Sequence, residues 1–180
     1  MTERLITPPV ATAVLLADAR TAARLDGNND AELEAVVRAI TEDAEHITGR
    51  AFITQTWRVV LDAFPDAIRL PKPPVASVVS VKYMNASGVE VTLSPADYYV
   101  DNITEPGYIV PASGKAWPAT FAHLNAVTVE VTCGYGISDA SVPSSVKGYI
   151  LAKVAEHFAP LGTPKSEYLV RLLDRMRVYS

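Results

Sequence analysis

The residues of this 180-residue chain that could carry chemistry are few: three histidines, one cysteine, a set of helical carboxylates and one short glycine run. A metal site needs several converging ligands, and His46, His123 and His157 are scattered along the chain. Glu42 and His46 stand at i, i+4, a spacing that one helix face would bring together, but a histidine near a helix end is expected to be solvated or to cap it. Cys133 has no partner for a disulfide and no companion thiolates for a zinc site. It falls on the inward phase of Val127, Val129 and Val131, so a buried, inert thiol is expected there rather than a nucleophile. Gly134-Tyr135-Gly136 lacks the longer glycine spacing and the Lys-Ser/Thr of a phosphate loop, and is expected to end a strand. Glu42, Asp43 and Glu45 beside Arg38 read as a solvated helix face, and Ser144-Ser145 as a helix cap. No group combines nucleophile, base and oxyanion donors, so no catalytic, cofactor-binding or metal-binding residues are expected.

Eight tyrosines and two tryptophans are the other notable side chains. Tyr83, Tyr98, Tyr99, Tyr108 and Tyr135 lie in or beside strand-like segments, where an aromatic ring with a polar tip suits either a small β core or a half-wet contact between proteins.

The elements that would position these residues follow from hydrophobic period. Val10 to Leu25 has near-helical spacing, and Asp26 to Asp30 is a turn in which Asn29 and Glu32 stand at the spacing of a capping box. Leu33, Val36, Val37, Ile40, Ala44 and Ile47 form one stripe of a second helix that Gly49 stops, so 1–52 is expected to form an antiparallel helical hairpin. From Ile53 the period becomes two. Trp57, Val59 and Leu61, then Ser77, Val79, Val81 and Tyr83, then Val89, Val91 and Leu93 predict a β-meander, followed by short strands threaded by proline and glycine. Val127 to Cys133 is the most regular strand. Helical period returns after Pro143 with Val146, Ile150, Val154 and Phe158, and a last helix from about Lys165 carries Leu169, Leu172, Leu173 and Met176 beside Arg171, Arg175 and Arg177. The predicted fold is α+β: a small bundle of two N-terminal and two C-terminal helices (143–180) with a β-rich insertion (53–136), all in one domain of residues 1–180.

Composition narrows function further. An apolar fraction of 49% with 20% charged residues predicts a folded core, and no run approaches the roughly 18 apolar residues of a membrane span. The N-terminus reads Met1-Thr2-Glu3-Arg4 and then Pro8-Pro9, without the apolar stretch of a secretory signal, so synthesis in a cytoplasm is expected. A net charge of −4 gives no basic footprint for tight nucleic-acid binding.

Several motifs in order resemble one family. The run Ala44-Glu45-His46-Ile47-Thr48-Gly49-Arg50-Ala51-Phe52-Ile53-Thr54-Gln55-Thr56-Trp57 resembles the helix-to-strand passage of bacteriophage head-tail connector proteins, the neck adaptors. Ile68-Arg69-Leu70-Pro71-Lys72-Pro73-Pro74-Val75, Asp97-Tyr98-Tyr99-Val100-Asp101, Pro106-Gly107-Tyr108-Ile109, Trp117-Pro118, and Val127-Thr128-Val129-Glu130 ending in Gly134-Tyr135-Gly136 follow in the family's order. The resemblance spans about 31–158 and does not extend to the two ends.

The resemblance implies a non-catalytic structural protein of the virion neck, made in the bacterial host cytoplasm. It implies a homo-oligomeric ring, usually a dodecamer, beneath the portal protein, which receives the tail or a stopper or tail-terminator protein while DNA passes through the lumen. No membrane and no cofactor enter this reading. A head-to-tail ring needs two different complementary patches on each subunit, and edge strands can supply them. Twelve copies at −4 each would carry roughly −48, which leaves passing DNA little net attraction. The apolar side chains at the chain end, Leu169, Leu172, Leu173, Met176, Val178 and Tyr179, are expected to contact the portal or a neighbouring subunit, because a lone domain commonly frays there. Deleting 169–180 is therefore expected to leave a folded subunit that no longer joins the portal. The rival readings are a carbohydrate- or peptide-binding β module of a virion or cell surface that uses the tyrosines and tryptophans as a platform, and a small hydrolase assembled from loops.

Overall fold

The computed structural model describes residues 1–27 and 29–178, and these divide into two compact units. One gathers 1–8 with 55–134 and is built of strands; the other gathers 9–54 with 135–178 and is built of helices.

The helical unit begins with α1 (Leu16–Ala23), shorter than the predicted 10–25. Residues 10–15 run through bends instead, and the Arg38 guanidinium donates to the Pro9 and Val10 carbonyls there at 3.4 and 3.2 Å. Arg24 then ends α1 in the left-handed region at φ 54°. The next helix, α2 (Asp30–Thr48), buries Leu33, Val37, Thr41, Ala44 and Thr48, with Val36, Ile40 and Ile47 at the margin of the predicted stripe. Asn29 stands at its N-cap without a side-chain bond, so the capping box does not form; its backbone carbonyl accepts from the Leu33 N–H instead. Gly49 stops α2 at φ 72°, a conformation that costs glycine little because it has no Cβ. After a short 3₁₀ turn comes α3 (Ser144–His157), which buries Val146, Tyr149, Ile150 and Val154. Pro143 is its N-cap and Ser144 is already inside the helix, so neither Ser144 nor Ser145 serves as the predicted cap. The core of this unit joins Val14, Leu33, Val37, Ala44, Phe52, Ile53, Tyr149, Ile150, Val154 and Leu173. The last predicted α-helix is instead a 3₁₀ helix, Leu169–Met176.

The β unit contains β1 (Thr2–Thr7), β2 (Gln55–Leu61), β3 (Ile68–Arg69), β4 (Val75–Met84), β5 (Glu90–Thr92), β6 (Tyr98–Asp101), β7 (Tyr108–Pro111) and β8 (Val127–Cys133). They form an antiparallel five-stranded sheet of order β1-β2-β8-β4-β5 and a three-stranded sheet of order β3-β7-β6. This corrects the predicted meander: β8 inserts between β2 and β4, which never pair. Its residues explain the central place, since Val127, Val129, Val131 and Cys133 are all fully buried. Val59, Val129 and Val81 lie opposite one another across three strands, each 0% exposed, the kind of cross-strand row that fixes register. On the other face of the sheet Arg58 donates to Glu130 from Nε and Nη2 at 3.0 and 2.6 Å. Register shifts in β4 between Val75 and Ser77 and between Val78 and Ser80 break the predicted alternation. Val79, expected inside with Val81, is 57% exposed as a result.

The strand β1 has no counterpart in the hydrophobic pattern. All six of its residues are exposed, and it pairs with β2 along one side only, from Thr2 opposite Val60 to Thr7 opposite Thr56.

Candidate interaction surfaces

Few of the chemically competent residues meet. His46 is exposed in the last turn of α2, the His123 Nδ1 lies 2.6 Å from the Leu124 carbonyl oxygen, and His157 packs edge-on to Phe158 at 5.0 Å. Among the described residues no three His, Cys, Asp or Glu side chains are grouped to hold a metal ion, and no helix is long and apolar enough to cross a membrane. Cys133 donates its S–H to the Pro71 carbonyl oxygen at 3.3 Å, and burial pushes its thiol up to about 12, with Glu3 adding to the effect and Lys72 opposing it. A thiol held protonated in this way is a poor nucleophile. Gly134 ends β8 at φ 117°, and a side chain on Gly136 would collide with the Ser141 hydroxyl, so both glycines serve chain path.

The tyrosines mostly fill space. Phe64 stacks on Trp117 at 4.6 Å and tilts against Tyr83 at 5.6 Å, one aromatic group within the β unit. Of the five tyrosines near the strands only Tyr99 is clearly exposed, at 60%. A glycan platform needs several open rings side by side, and these five do not provide it.

The corner after α2 has a clear structural purpose. Glu45 reaches forward to accept from the Phe52 N–H at 2.6 Å, Gly49 turns the chain, and Phe52 is fully buried. Arg50, only 8% exposed, donates from Nε to the Met176 carbonyl oxygen. The Val178 N–H donates to the Thr48 carbonyl oxygen at 2.9 Å, which satisfies one of the acceptors that a helix end leaves open. The motif that carries the family resemblance thus forms the seat of the chain's last segment.

That segment is divided between inside and outside. Leu173 is 0% exposed in the core of its own unit; Leu169, Met176 and Val178 are half-buried; Leu172 is 42% exposed. Tyr179 lies outside the described residues. Arg171, which lies 4.7 Å over the Tyr168 ring, and Arg175 are exposed beside Leu172. The expected contact residues therefore do not share one open face, and removing 169–180 would take Leu173 out of the core. Sequence reasoning missed a second surface, the free edge of β1; the run Leu5-Ile6-Thr7 before Pro8-Pro9 was its only signal.

No family model matches the chain, and no curated protein matches it. Solved structures do. The chain is similar to one in the virion of a native gene transfer agent particle at 25% identity and a TM-score of 0.83, covering 100% of this chain and 97% of that one. It is similar at 24% identity, with the same coverage, to chains in the neck of the empty particle computed with C6 symmetry, TM-score 0.83, and in the neck of the native particle computed with C12 symmetry, TM-score 0.76. The family resemblance read from the motifs is thereby borne out in three dimensions: from end to end, this chain has the fold of a neck protein of a phage-like particle.

Proposed function

We propose that this chain is the head-tail connector of a tailed bacteriophage or phage-like particle, a structural subunit that forms a ring beneath the portal and receives the tail or its stopper. The observation that carries the reading is the full-length likeness to a chain of the gene transfer agent virion, at a TM-score of 0.83. The motif order from Ala44 to Gly136 supports it independently. A homo-oligomeric ring is its natural state, with twelve copies the expected number, since one of the similar necks has C12 symmetry. The subunit is non-catalytic: its work is to present surfaces to itself, to the portal above and to tail proteins below, while DNA passes through the lumen without specific contacts.

Two surfaces suit those contacts. The exposed side of the C-terminal segment, Leu172 with Arg171 and Arg175, faces a portal or a neighbouring subunit, and the open edge of β1 offers backbone donors and acceptors to an added strand. Removing the gene from a producing strain tests the function. The expected products are filled heads and free tails that join when the purified protein is added back. Tailed particles formed without the protein would refute it.

A further inference from the structure

The strand β1 is held by backbone alone. None of its six side chains is buried, and one ladder to β2 fixes it. Its outer edge leaves N–H and C=O groups open, and natural sheets commonly blunt such an edge with proline, a bulge, a very short strand or a covering element. From Thr2 to Leu5 the register is continuous and no proline interrupts it; the shift and Pro8-Pro9 come only afterwards. The far edge of the same sheet is blunted instead. There β5 has only three residues, and β4 beside it carries two register shifts.

Arg4 specifies what an added strand would carry. It stands directly opposite Arg58 on β2, and Arg58 stands opposite Glu130 on β8. Glu130 is already engaged, since it accepts from Arg58 Nε and Nη2. Like charges directly opposite across a ladder are destabilising, and Arg4 has no ion pair among the described residues. The row thus holds two positive charges and one negative, and its next position outward lies beyond β1. A carboxylate there would balance it. On the other face Leu5, opposite Trp57 and 38% exposed, would be covered by the same strand.

This chain's own strands do not supply that carboxylate. Glu90 of β5 is paired with Lys82 at 3.4 Å, and Asp101 of β6 accepts from the Ile103 and Thr104 N–H groups at 3.0 Å each. The strands β3 and β4 contain no acidic residue. Within β1 itself Glu3 stands opposite Val59, on the face away from Arg4, so a two-fold pairing of β1 with its copy brings no carboxylate to Arg4.

We propose that the open edge of β1 receives an extended segment of a different protein of the neck, added as a sixth strand with an aspartate or glutamate in register with Arg4. The inference rests on the reading of the chain as a neck subunit. Backbone bonds supply the affinity, and the Arg4 pairing sets the register. The edge is already formed, so the subunit docks without rearrangement.

Cross-linking tests the occupant. A photo-cross-linking residue replaces Thr2, which shares a face with Arg4, in subunits assembled into particles, and the joined peptides of isolated necks are sequenced. The expected product joins β1 to an acidic segment of another protein. A product with a second copy of this chain, a product with a segment that has no carboxylate, or no product overturns the inference.

Charge reversal tests the role of Arg4. Within the subunit Arg4→Glu places a carboxylate opposite Arg58, so the urea midpoint should hold or rise. At the neck it meets a like charge, and joined particles should fall about tenfold or more. Arg4→Lys keeps the charge and should join as the wild type does. Normal joining by Arg4→Glu, an equal loss in Arg4→Lys, or a midpoint that falls in step with joining overturns the inference. A neck without a ring of this protein would instead overturn the function.

Discussion

Leu172 and Leu173 are adjacent in sequence and opposite in role, which makes them a sharp pair for mutation. Leu173 is 0% exposed among the core residues of the helical unit, and Leu172 is 42% exposed. Truncating a fully buried leucine removes its transfer free energy and leaves a cavity that the neighbours close only in part, so Leu173→Ala should cost about 2 to 5 kcal/mol. Against a total stability of about 5 to 15 kcal/mol, that is enough to populate an unfolded helical unit under mild conditions. Leu172→Ala removes a side chain that is already 42% exposed and should cost under about 1 kcal/mol. Urea titration followed by helical circular dichroism gives both values. Incorporation into necks should show the reverse ordering for folded protein: Leu172→Ala assembles poorly at unchanged stability. Equal losses of stability in the two variants would refute the assigned packing, and normal assembly of Leu172→Ala would refute the interface role of the exposed side.

Other expectations follow from the same geometry. Cys133 and Tyr149 are both held neutral, each pushed up to about 12, the thiol by burial and the phenol by burial and its bond to Asp43. The stability this represents is complete below the ordinary thiol and phenol values and is lost as pH rises toward the folded ones. Between pH 7 and pH 10 Cys133 alone should remove about 1.4 kcal/mol, and urea titrations of Cys133→Val should lack that part of the fall. Tyr149→Phe deletes a 2.9 Å hydrogen bond to Asp43 and should lower stability by about 1 to 2 kcal/mol at neutral pH, read from the urea midpoint. Arg58→Met breaks a half-exposed cross-strand pair with Glu130 and should cost less than about 1 kcal/mol, diminishing further in high salt.

Much of the architecture was legible in local period. The stripe of α2, the valines of β8 and the four-residue steps of α3 each state which face is buried, because packing against one core selects them directly. What escaped depends on partners distant in sequence. The alternation in β2, β4 and β8 fixes their inner faces but not which strand takes the centre, and the bulges of β4 move Val79 outward without any residue that announces them. The edge strand β1 buries none of its side chains, so it has no period to read; its existence rests on the open edge of β2. The C-terminal helix carries an α pattern but is a 3₁₀ helix whose flanks bond to Thr48, Arg50 and Glu156, contacts that no local spacing predicts.

The most direct measurement is electron cryo-microscopy of purified particles from the producing strain, with this chain's density identified by its side chains. The expected result is a closed ring of identical copies at the neck, between portal and tail, with the lumen open to DNA. Finding the chain on the tail fibre or capsid surface, or not in the particle at all, would contradict it.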